Sequence, residues 1–219
     1  MSTRLSQSER VATLCLFRFG PWRHRLWAFG QMALARPALK RLDGIGFVKL
    51  MGTGTGEGFT PVPDTSTVAI LTTWPDLATA QRQITEARVF KRYLRRSDET
   101  LAIHLGSTAV RGTWSAQQPF GAEGNRGPTL SNGPVAALTR ATIRPRALLR
   151  FWKLAPEISR RIGKDPNVLF KVGVGEVPWL HQVTFSIWPD TRTMDAFARR
   201  GGPHDAAIRA VRREGWFCE

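Results

Sequence analysis

The sequence VTFSIWPDTRTMDAFARRGGPHDAAIRAVRR, residues 183–213, decides the fold of this chain. Its apolar start stops at the tripeptide Trp-Pro-Asp of residues 188–190, and a long basic segment with helical periodicity follows. The same arrangement occurs earlier in VAILTTWPDLATAQRQITEARVFKRYLRR, residues 68–96, with Trp-Pro-Asp at 74–76. Chance rarely repeats one tripeptide between an apolar run and a basic helix that ends in Arg-Arg. The two stretches therefore indicate an internal duplication.

The first half of the chain has the pattern of a ferredoxin-like unit. Short runs of strand-forming residues predict four strands, at residues 11–19, 44–51, 67–74 and 100–112. Apolar residues at helical spacing predict two helices, one over residues 22–40 that bends at Pro37 and one from residue 77 to 96. The resulting order, β-α-β-β-α-β, is the split βαβ arrangement.

The second half repeats this order after a linker, residues 117–133, that is rich in Gly, Pro, Asn and Ser. Strands are predicted at residues 135–143, 168–174 and 182–188, and helices at 146–161 and 191–213. In this alignment Arg140 corresponds to Arg18, and Phe170 corresponds to Phe47. We therefore predict an α+β fold of tandem ferredoxin-like (βαββαβ) repeats, residues 1–116 and 134–219, in which the second repeat lacks its last strand.

Composition and charge narrow the classes of partner. The 219 residues, 42% of them hydrophobic, are enough to bury a core. With 32 Lys and Arg against 17 Asp and Glu, the net charge is +15, which favours nucleic acid, an anionic membrane surface or an acidic protein. Charge that only improves solubility is the remaining alternative. No apolar run reaches the roughly 18 residues that span a bilayer, although eight Trp and many Arg suit a headgroup interface.

Several common chemistries have no signature in the sequence. It contains no Walker A loop, nucleophile elbow, His-Glu-x-x-His pair or Cys-x-x-Cys-His heme attachment sequence. Cys15 and Cys218 are the only cysteines, so a disulfide framework is excluded and a reducing compartment is predicted. The glycine-rich residues 52–58 are predicted to form a loop, because prolines rather than a helix follow them.

One strand partly matches an RNA-binding motif. Residues 43–50, DGIGFVKL, agree with the RNP1 pattern at Gly44, Gly46, Phe47 and Val48. The basic first residue and two of the stacking aromatics of that pattern are missing. An ordinary buried strand and an RNA-binding strand are both compatible with the sequence.

Four histidines are candidate metal ligands: His24, His104, His181 and His204. His204 is the strongest candidate because Gly201, Gly202 and Pro203 interrupt the predicted helix just before it. This stretch also differs from its counterpart in the first repeat, and differences inside a duplication are where function can reside. The alternative is that His204 belongs to an ordinary surface helix cap.

The chain resembles the spheroidene monooxygenase family, the acyclic carotenoid 2-ketolases of purple photosynthetic bacteria. Three stretches carry the resemblance: VATLCLFRFGPWRHRLWAFGQMALARP at residues 11–37, NGPVAALTRATIRPRALLRFW at 132–152, and GGPHDAAIRAVRREGWFCE at 201–219. The resemblance covers essentially all of residues 11–219. It implies a heme-dependent monooxygenase that hydroxylates the C-2 methylene of spheroidene twice, after which the gem-diol loses water, with electrons from reduced ferredoxin.

The resemblance also implies where the cofactor binds. Tandem ferredoxin-like repeats are similar to dimeric α+β barrels, several of which hold heme between sheet and helices with a helical histidine. By that analogy His204 is the predicted iron ligand. The repeat itself suggests Arg140 and Trp188, with Arg18, as cofactor contacts, and a role in packing or solubility is the alternative for each. A cysteine ligand is not expected, since no P450-type motif surrounds Cys15 or Cys218.

The expected setting follows from the same resemblance. The protein is predicted to be cytoplasmic, with peripheral contact to the inner, photosynthetic membrane from which an acyclic carotenoid must come. Nucleic acid is not a predicted partner. The alternative function is a basic tandem ferredoxin-like protein that binds nucleic acid without enzymatic activity, and a further alternative is a scaffold that only delivers carotenoid.

Overall fold

The computed structural model describes residues 10–56, 60–121, 124–125, 133–153, 165–177 and 179–199. The chain divides into two units. Unit 1 comprises Met1–Gly52 and Thr65–Pro128, and unit 2 comprises Thr53–Asp64 and Thr129–Glu219. The predicted domain limits and the barrel-like arrangement of the two repeats stay predictions.

The elements of unit 1 occur in the predicted β-α-β-β-α-β order. Its strands are β1 (Val11–Arg18), β2 (Phe47–Gly54), β3 (Pro63–Trp74) and β4 (Glu99–Gly106). The end of β2 and the start of β3, residues 53–54 and 63–64, are assigned to unit 2. Its helices are α1 (Trp22–Leu34), α2 (Arg36–Lys40), α3 (Leu77–Glu86) and α4 (Arg88–Leu94). The strand order is β4-β1-β3-β2, and β1 is antiparallel to both β3 and β4. This is the ferredoxin-like order, which confirms the predicted α+β fold class.

Both predicted helices of unit 1 are divided. The first breaks at Ala35, and Pro37 lies in the first turn of α2, where its missing N–H leaves no helical hydrogen bond unmade. The second breaks at Ala87, whose backbone is extended. The bend predicted near Pro37 is therefore present, whereas the break at Ala87 was not predicted.

The ends of two predicted strands also need correction. The strand predicted for residues 100–112 ends at Gly106, and β5 (Ala109–Val110) pairs instead with β6 (Gly124–Asn125) in a separate ladder. The glycine-rich loop predicted for residues 52–58 starts later, because residues 52–54 continue β2.

Unit 2 repeats the start of this order. Its strands are β7 (Val135–Thr142), β8 (Phe170–Val177) and β9 (His181–Trp188), in the order β8-β9-β7 with antiparallel pairing. A 3₁₀ turn, Pro145–Ala147, leads into helix α5, of which residues 148–153 are described, and α6 is Thr191–Arg199. The predicted remainders of both helices and the missing fourth strand fall outside the described residues.

Equivalent residues of the two units follow from strand register. Val11 lies opposite Trp74 in unit 1, and Val135 lies opposite Trp188 in unit 2. The alignment of Phe47 with Phe170 is confirmed, because the residue before each donates its amide to β3 or β9 at 2.9 Å, from Gly46 to Thr73 O and from Leu169 to Ile187 O. Thr73 and Ile187 each precede the tryptophan of their turn.

The predicted alignment of Arg140 with Arg18 is wrong by two residues. Strand register places Leu16 opposite Ala69 and Arg140 opposite Val183. Ala69 and Val183 precede Trp74 and Trp188, respectively, by the same number of residues. Arg140 therefore corresponds to Leu16, and Arg18 corresponds to Thr142. A shift of two keeps the same face of the strand, which is why the sequence pattern did not reveal the error.

The repeated Trp-Pro-Asp turn has the same hydrogen bonds in both units. In unit 1 Trp74 Nε1 donates to Thr72 Oγ1 at 2.9 Å, and Asp76 accepts from the amide of Thr79 at 2.7 Å, which caps α3. In unit 2 the same bonds run from Trp188 to Ser186 Oγ at 3.0 Å and from the amide of Thr193 to Asp190 at 2.7 Å, which caps α6. These bonds support the duplication.

Candidate functional site

One side of the unit 1 sheet is filled with large apolar side chains that pack against its helices. Alternate residues of β1 point to this side, and they meet a residue of β2 and alternate residues of β3. Five residues of these strands, Cys15, Phe17, Leu50, Val68 and Ile70, join side chains of α1–α4 in one core cluster. We call this face the helix-facing side.

In unit 2 the equivalent positions carry small or polar residues. Register and the alignment of Phe47 with Phe170 assign them, in the same order, to Thr139, Ala141, Gly173, Gln182 and Thr184. A phenylalanine is thus replaced by alanine, a leucine by glycine, and three apolar residues by residues with hydroxyl or amide groups. We call these five residues of unit 2 the candidate site.

The exposure of the two faces differs in the same direction. Cys15, Phe17 and Ile70 are 0% exposed in unit 1. In unit 2 Thr139 is exposed, and Ala141 is half-buried. Loss of large side chains from a sheet face leaves space rather than a collapsed core unless neighbouring elements move in. We therefore take the helix-facing side of unit 2 as the candidate place for another molecule to bind.

The candidate site offers hydrogen bonds on an apolar floor. Thr139 lies directly opposite Thr184, and Ala141 lies opposite Gln182. Two hydroxyls and one amide can orient a ligand, and Gly173 lets a ligand approach the backbone. None of the five side chains titrates near neutral pH, so these residues can bind and orient but cannot move protons or electrons by themselves.

Trp188 lies on the same side of the sheet, at the end of β9. It is 3% exposed, and its ring centroid is 5.0 Å from that of Phe197 in α6. Its indole bond is the one that Trp74 makes in unit 1, where the tryptophan is part of the packed core. The structure thus shows a packing role for Trp188 at one end of the candidate site.

Arg140 lies on the opposite face of the sheet. Its Nε donates to Glu176 Oε1 at 3.4 Å, and the two side chains are only 8% and 12% exposed. Val135 lies opposite Trp188, so their side chains face the same side of the sheet. Arg140 is five residues after Val135 in β7, and side chains alternate along a strand, so Arg140 faces the other side. The structure does not bring Arg140 and Trp188 together, and His204 lies outside the described residues.

Two of the other histidines, His24 and His104, make ordinary structural contacts. His24 Nδ1 donates to the carbonyl of Arg96 at 2.9 Å. His104 Nδ1 bonds Thr13 Oγ1 at 3.0 Å, and burial lowers the pKa of His104. His181 begins β9 and is half-buried. In the part of the chain that the structure describes, no group of three His, Cys, Asp or Glu side chains could hold a metal ion.

Cys15 is excluded as a ligand by its surroundings. It is fully buried in the unit 1 core. Burial raises the pKa of its thiol to about 12, so the thiolate that a metal needs is disfavoured at neutral pH.

The RNP1-like strand lacks an open stacking surface. Phe47 is 6% exposed, and its ring centroid is 5.6 Å from that of Trp114. The ammonium of Lys49 lies 5.4 Å from the Phe47 ring centroid. RNA-binding strands need rings that bases can reach. The strand begins only at Phe47, later than predicted, and residues 47–50 are therefore better interpreted as part of an ordinary sheet strand than as an RNA-binding strand.

The residues of the candidate site were missed by sequence reasoning. The signal was present, because Phe17 and Ala141 are equivalent once the strands are in register. With Arg140 placed on Arg18, that pair was misaligned by two residues, and the loss of apolar volume in unit 2 was hidden.

Three relatives carry the name spheroidene monooxygenase. The protein of Cereibacter sphaeroides is 45% identical over 211 residues, which are 96% of this chain and 64% of that protein. The protein of Rhodobacter capsulatus is 46% identical over 209 residues, 95% of this chain and 86% of that protein. The protein of Rubrivivax gelatinosus is 36% identical over 189 residues, 86% of this chain and 72% of that protein. The chain thus spans just under two thirds of the first of these relatives.

Other comparisons add little. No protein-family model matches the chain. Among solved structures, one from Fusobacterium nucleatum aligns with 97% of this chain and 89% of its own, at 8% identity and a TM-score of 0.39. A likeness at that level carries no argument about activity.

Proposed function

Because the chain belongs to the spheroidene monooxygenase family, we propose that it is an oxidoreductase, a monooxygenase that oxidises the C-2 methylene of spheroidene-type acyclic carotenoids to a ketone. Two hydroxylations are needed. Each consumes one O2, two electrons and two protons, inserts one oxygen atom into a C–H bond, and releases one water. The second gives a gem-diol, which loses water to leave the ketone.

The single observation that carries this proposal onto the structure is the candidate site. Such a reaction needs a surface that binds an apolar polyene and a cofactor, and the helix-facing side of unit 2 has small residues where unit 1 is packed. A flat apolar macrocycle with polar edges fits a floor of Ala141 and Gly173 bordered by the hydroxyls of Thr139 and Thr184. These groups would hold and orient ligands, and the surrounding apolar residues would exclude water.

Heme is the proposed cofactor, with His204 as the iron ligand. Phe90 and His204 follow the Trp-Pro-Asp turns of their repeats at the same distance in the sequence, so an alignment without gaps pairs them. Phe90 is fully buried in the core cluster of unit 1. A histidine at this place in the second repeat supports the assignment. When bound, heme would supply the O2 activation that side chains of this chain do not.

The remaining predicted contacts divide between two faces. Trp188 borders the candidate site and stays in the proposed cofactor site. Arg140 lies on the other face, paired with Glu176, so a direct contact of Arg140 with the same ligand is not supported by its position. Reduced ferredoxin is the proposed electron donor, because a surface of net charge +15 accelerates encounter with an acidic protein.

The absorption spectrum of the purified protein tests this proposal. We expect a Soret band after expression with a heme precursor, and ketone formation when carotenoid, O2 and reduced ferredoxin are supplied. His204→Ala should lose the band, and Ala141→Phe should lose it too, because the phenylalanine of unit 1 would fill the site. His181→Ala is the control and should keep the band, because this half-buried histidine precedes Gln182 in β9 and faces the opposite side of the sheet.

Two outcomes would overturn the proposal. A full Soret band in folded Ala141→Phe would place the heme elsewhere, and one in folded His204→Ala would remove His204 as the ligand. Carotenoid that stays bound but unchanged with ferredoxin and O2 present would favour a delivery scaffold. Steeply salt-dependent RNA binding by a heme-free preparation would favour the nucleic-acid alternative.

A further inference from the structure

Helix α1 of unit 1 exposes a row of large apolar side chains. Trp22, Leu26 and Phe29 are 76%, 62% and 70% exposed. Their spacing of four and three residues puts them on one face of the helix, which we call the α1 stripe. On the other side of the helix Ala28 and Gln31 are buried. The solvent-facing side of α1 thus carries apolar side chains, whereas a solvated helix face is normally polar.

The second unit shows that the fold does not require this stripe. Pro21 and Pro145 occupy equivalent positions before the first helix of each unit, so Trp22, Leu26 and Phe29 correspond to Arg146, Arg150 and Lys153. All three basic residues are exposed. The same helix face is therefore charged in unit 2 and apolar in unit 1, which points to a contact that only unit 1 makes.

Basic side chains flank the α1 stripe. No Asp or Glu occurs between residues 10 and 42, while α1 and α2 contain Arg23, Arg25, Arg36 and Lys40. The guanidinium groups of Arg96 and Arg92 lie 4.5 and 5.7 Å from the ring centroid of Trp27, the residue after Leu26, whereas Arg25 Nε donates to Phe19 O at 3.0 Å. An apolar row between cationic borders has the charge pattern that complements anionic headgroups over an acyl layer.

We propose that the α1 stripe docks unit 1 on an anionic lipid bilayer, with α1 parallel to the surface. The three stripe residues enter the boundary between headgroups and acyl chains, and the flanking arginines contact lipid phosphates. Within the described ranges, no helix is long and apolar enough to cross a membrane. Docking therefore places α1 on the bilayer rather than through it, and the inference requires neither heme nor carotenoid.

Other occupants fit the stripe less well. A second copy of this chain would bring the same basic flanks together, and each copy has a net charge of +15, so repulsion opposes self-association. An acidic protein would satisfy the charges. However, exposed Trp beside arginines is typical of the headgroup level of a bilayer, and a protein interface has a broader apolar core.

Vesicle flotation with the heme-free full chain tests the docking surface. The vesicles contain either phosphatidylcholine alone or equal parts of phosphatidylcholine and phosphatidylglycerol. We expect binding to the anionic vesicles that weakens with salt. Trp22→Gln, Leu26→Gln and Phe29→Gln combined should weaken binding by about tenfold or more without changing the net charge. Leu149→Gln, at an 87% exposed leucine of unit 2, is the matched control and should bind like the wild type.

A conservative variant and the oligomeric state complete the test. Trp22→Phe keeps the apolar surface and should keep vesicle binding. Wild-type binding by the triple variant, or no wild-type binding to anionic vesicles, would overturn the proposal. So would a wild-type dimer in sedimentation velocity that the triple variant abolishes, because a second copy would then cover the stripe. The Soret band of the triple variant is measured separately. An unchanged band shows that the proposed heme site is intact, so that a change in vesicle binding or oligomeric state concerns the α1 stripe alone.

Discussion

Units 1 and 2 start from one strand-and-helix plan and use its two faces in opposite ways. Unit 1 packs the helix-facing side of its sheet and exposes an apolar row on α1. In unit 2 the helix-facing side carries smaller side chains, such as Ala141 at the position of Phe17. The outer face of its first helix is basic, with Arg150 at the position of Leu26. What the units share is the Trp-Pro-Asp turn with its indole bond and its helix cap.

This difference separates the parts of the plan that fold the chain from the parts that are free to change. Both units keep the turn, whose indole bond and helix cap join the end of a strand to the start of the following helix. The packed helix-facing side contributes to the stability of unit 1. The same side of unit 2 has smaller side chains and contributes less stability. We infer that unit 1 supports the fold and the membrane contact, while unit 2 holds the chemistry.

The largest expected effect comes from giving unit 1 the residue of unit 2. Phe17 is 0% exposed, and its ring centroid is 5.0 Å from that of Tyr93. Phe17→Ala should lower the free energy of unfolding by about 3–5 kcal/mol, because it removes buried surface and leaves a cavity. Urea unfolding followed by circular dichroism measures the change.

A matched variant decides how this result is read. Leu101→Ala, at a 42% exposed residue of the neighbouring strand β4, should change the same free energy by only about 0.5 kcal/mol. If Phe17→Ala is as mild as Leu101→Ala, the helix-facing side of unit 1 does not depend on its large side chains, and the contrast with the candidate site disappears.

The next effect concerns the opposite face of unit 2. Glu176→Thr removes the carboxylate that pairs with the Arg140 guanidinium, which is 8% exposed, and should lower the free energy of unfolding by about 3 kcal/mol. Adding Arg140→Leu gives both positions the residues of the first repeat, since Leu16 and Thr53 are their counterparts. The double variant should lie within about 1 kcal/mol of the wild type, because well-packed apolar residues can replace a buried ion pair.

A double-mutant cycle and a spectrum give two separate readouts of this pair. Effects of the single variants that simply add would show that Arg140 and Glu176 do not depend on each other. The Soret band of the double variant tests the predicted cofactor contact. An unchanged band leaves Arg140 with a structural role, and a lost band in a stable double variant returns Arg140 to the cofactor site.

Local patterns predicted most of the fold. The repeated tripeptide located the duplication, and strand and helix periods located the elements in the described part of the chain. The break at Ala87 was missed because arginine and valine follow it where a proline or glycine would have marked a boundary. The early end of β4 was missed because residues 107–112 have a strand-like composition, although Ala109 and Val110 pair with β6 instead.

The candidate site could not be predicted in the same way. It is defined by what is missing relative to the equivalent face of unit 1, and that comparison needs the register of β7 to one residue. A period of two leaves the register undecided between positions two residues apart. Arg140 drew attention because it is charged, whereas Ala141 and Gly173 carry no feature that a single sequence marks as functional.

The smallest effect comes from the feature that the units share. Asp76 and Asp190 each accept the backbone N–H of Thr79 or Thr193 at 2.7 Å, and these bonds lower the pKa of both carboxyls below the ordinary value of 3.8. A lowered pKa in the folded state means that each cap stabilises the fold fully above pH 3.8 and loses that contribution as the pH falls through the folded pKa.

Asp76→Ala and Asp190→Ala should therefore lower the melting temperature slightly at pH 7, and each difference from the wild type should shrink at pH 3. The two variants should lose similar amounts, because the caps have the same geometry. A much smaller loss in Asp190→Ala would mean that α6 contributes little to the stability of unit 2. In that case the helix beside the candidate site would be held by its ligand rather than by its cap, and added heme should raise the melting temperature of that variant.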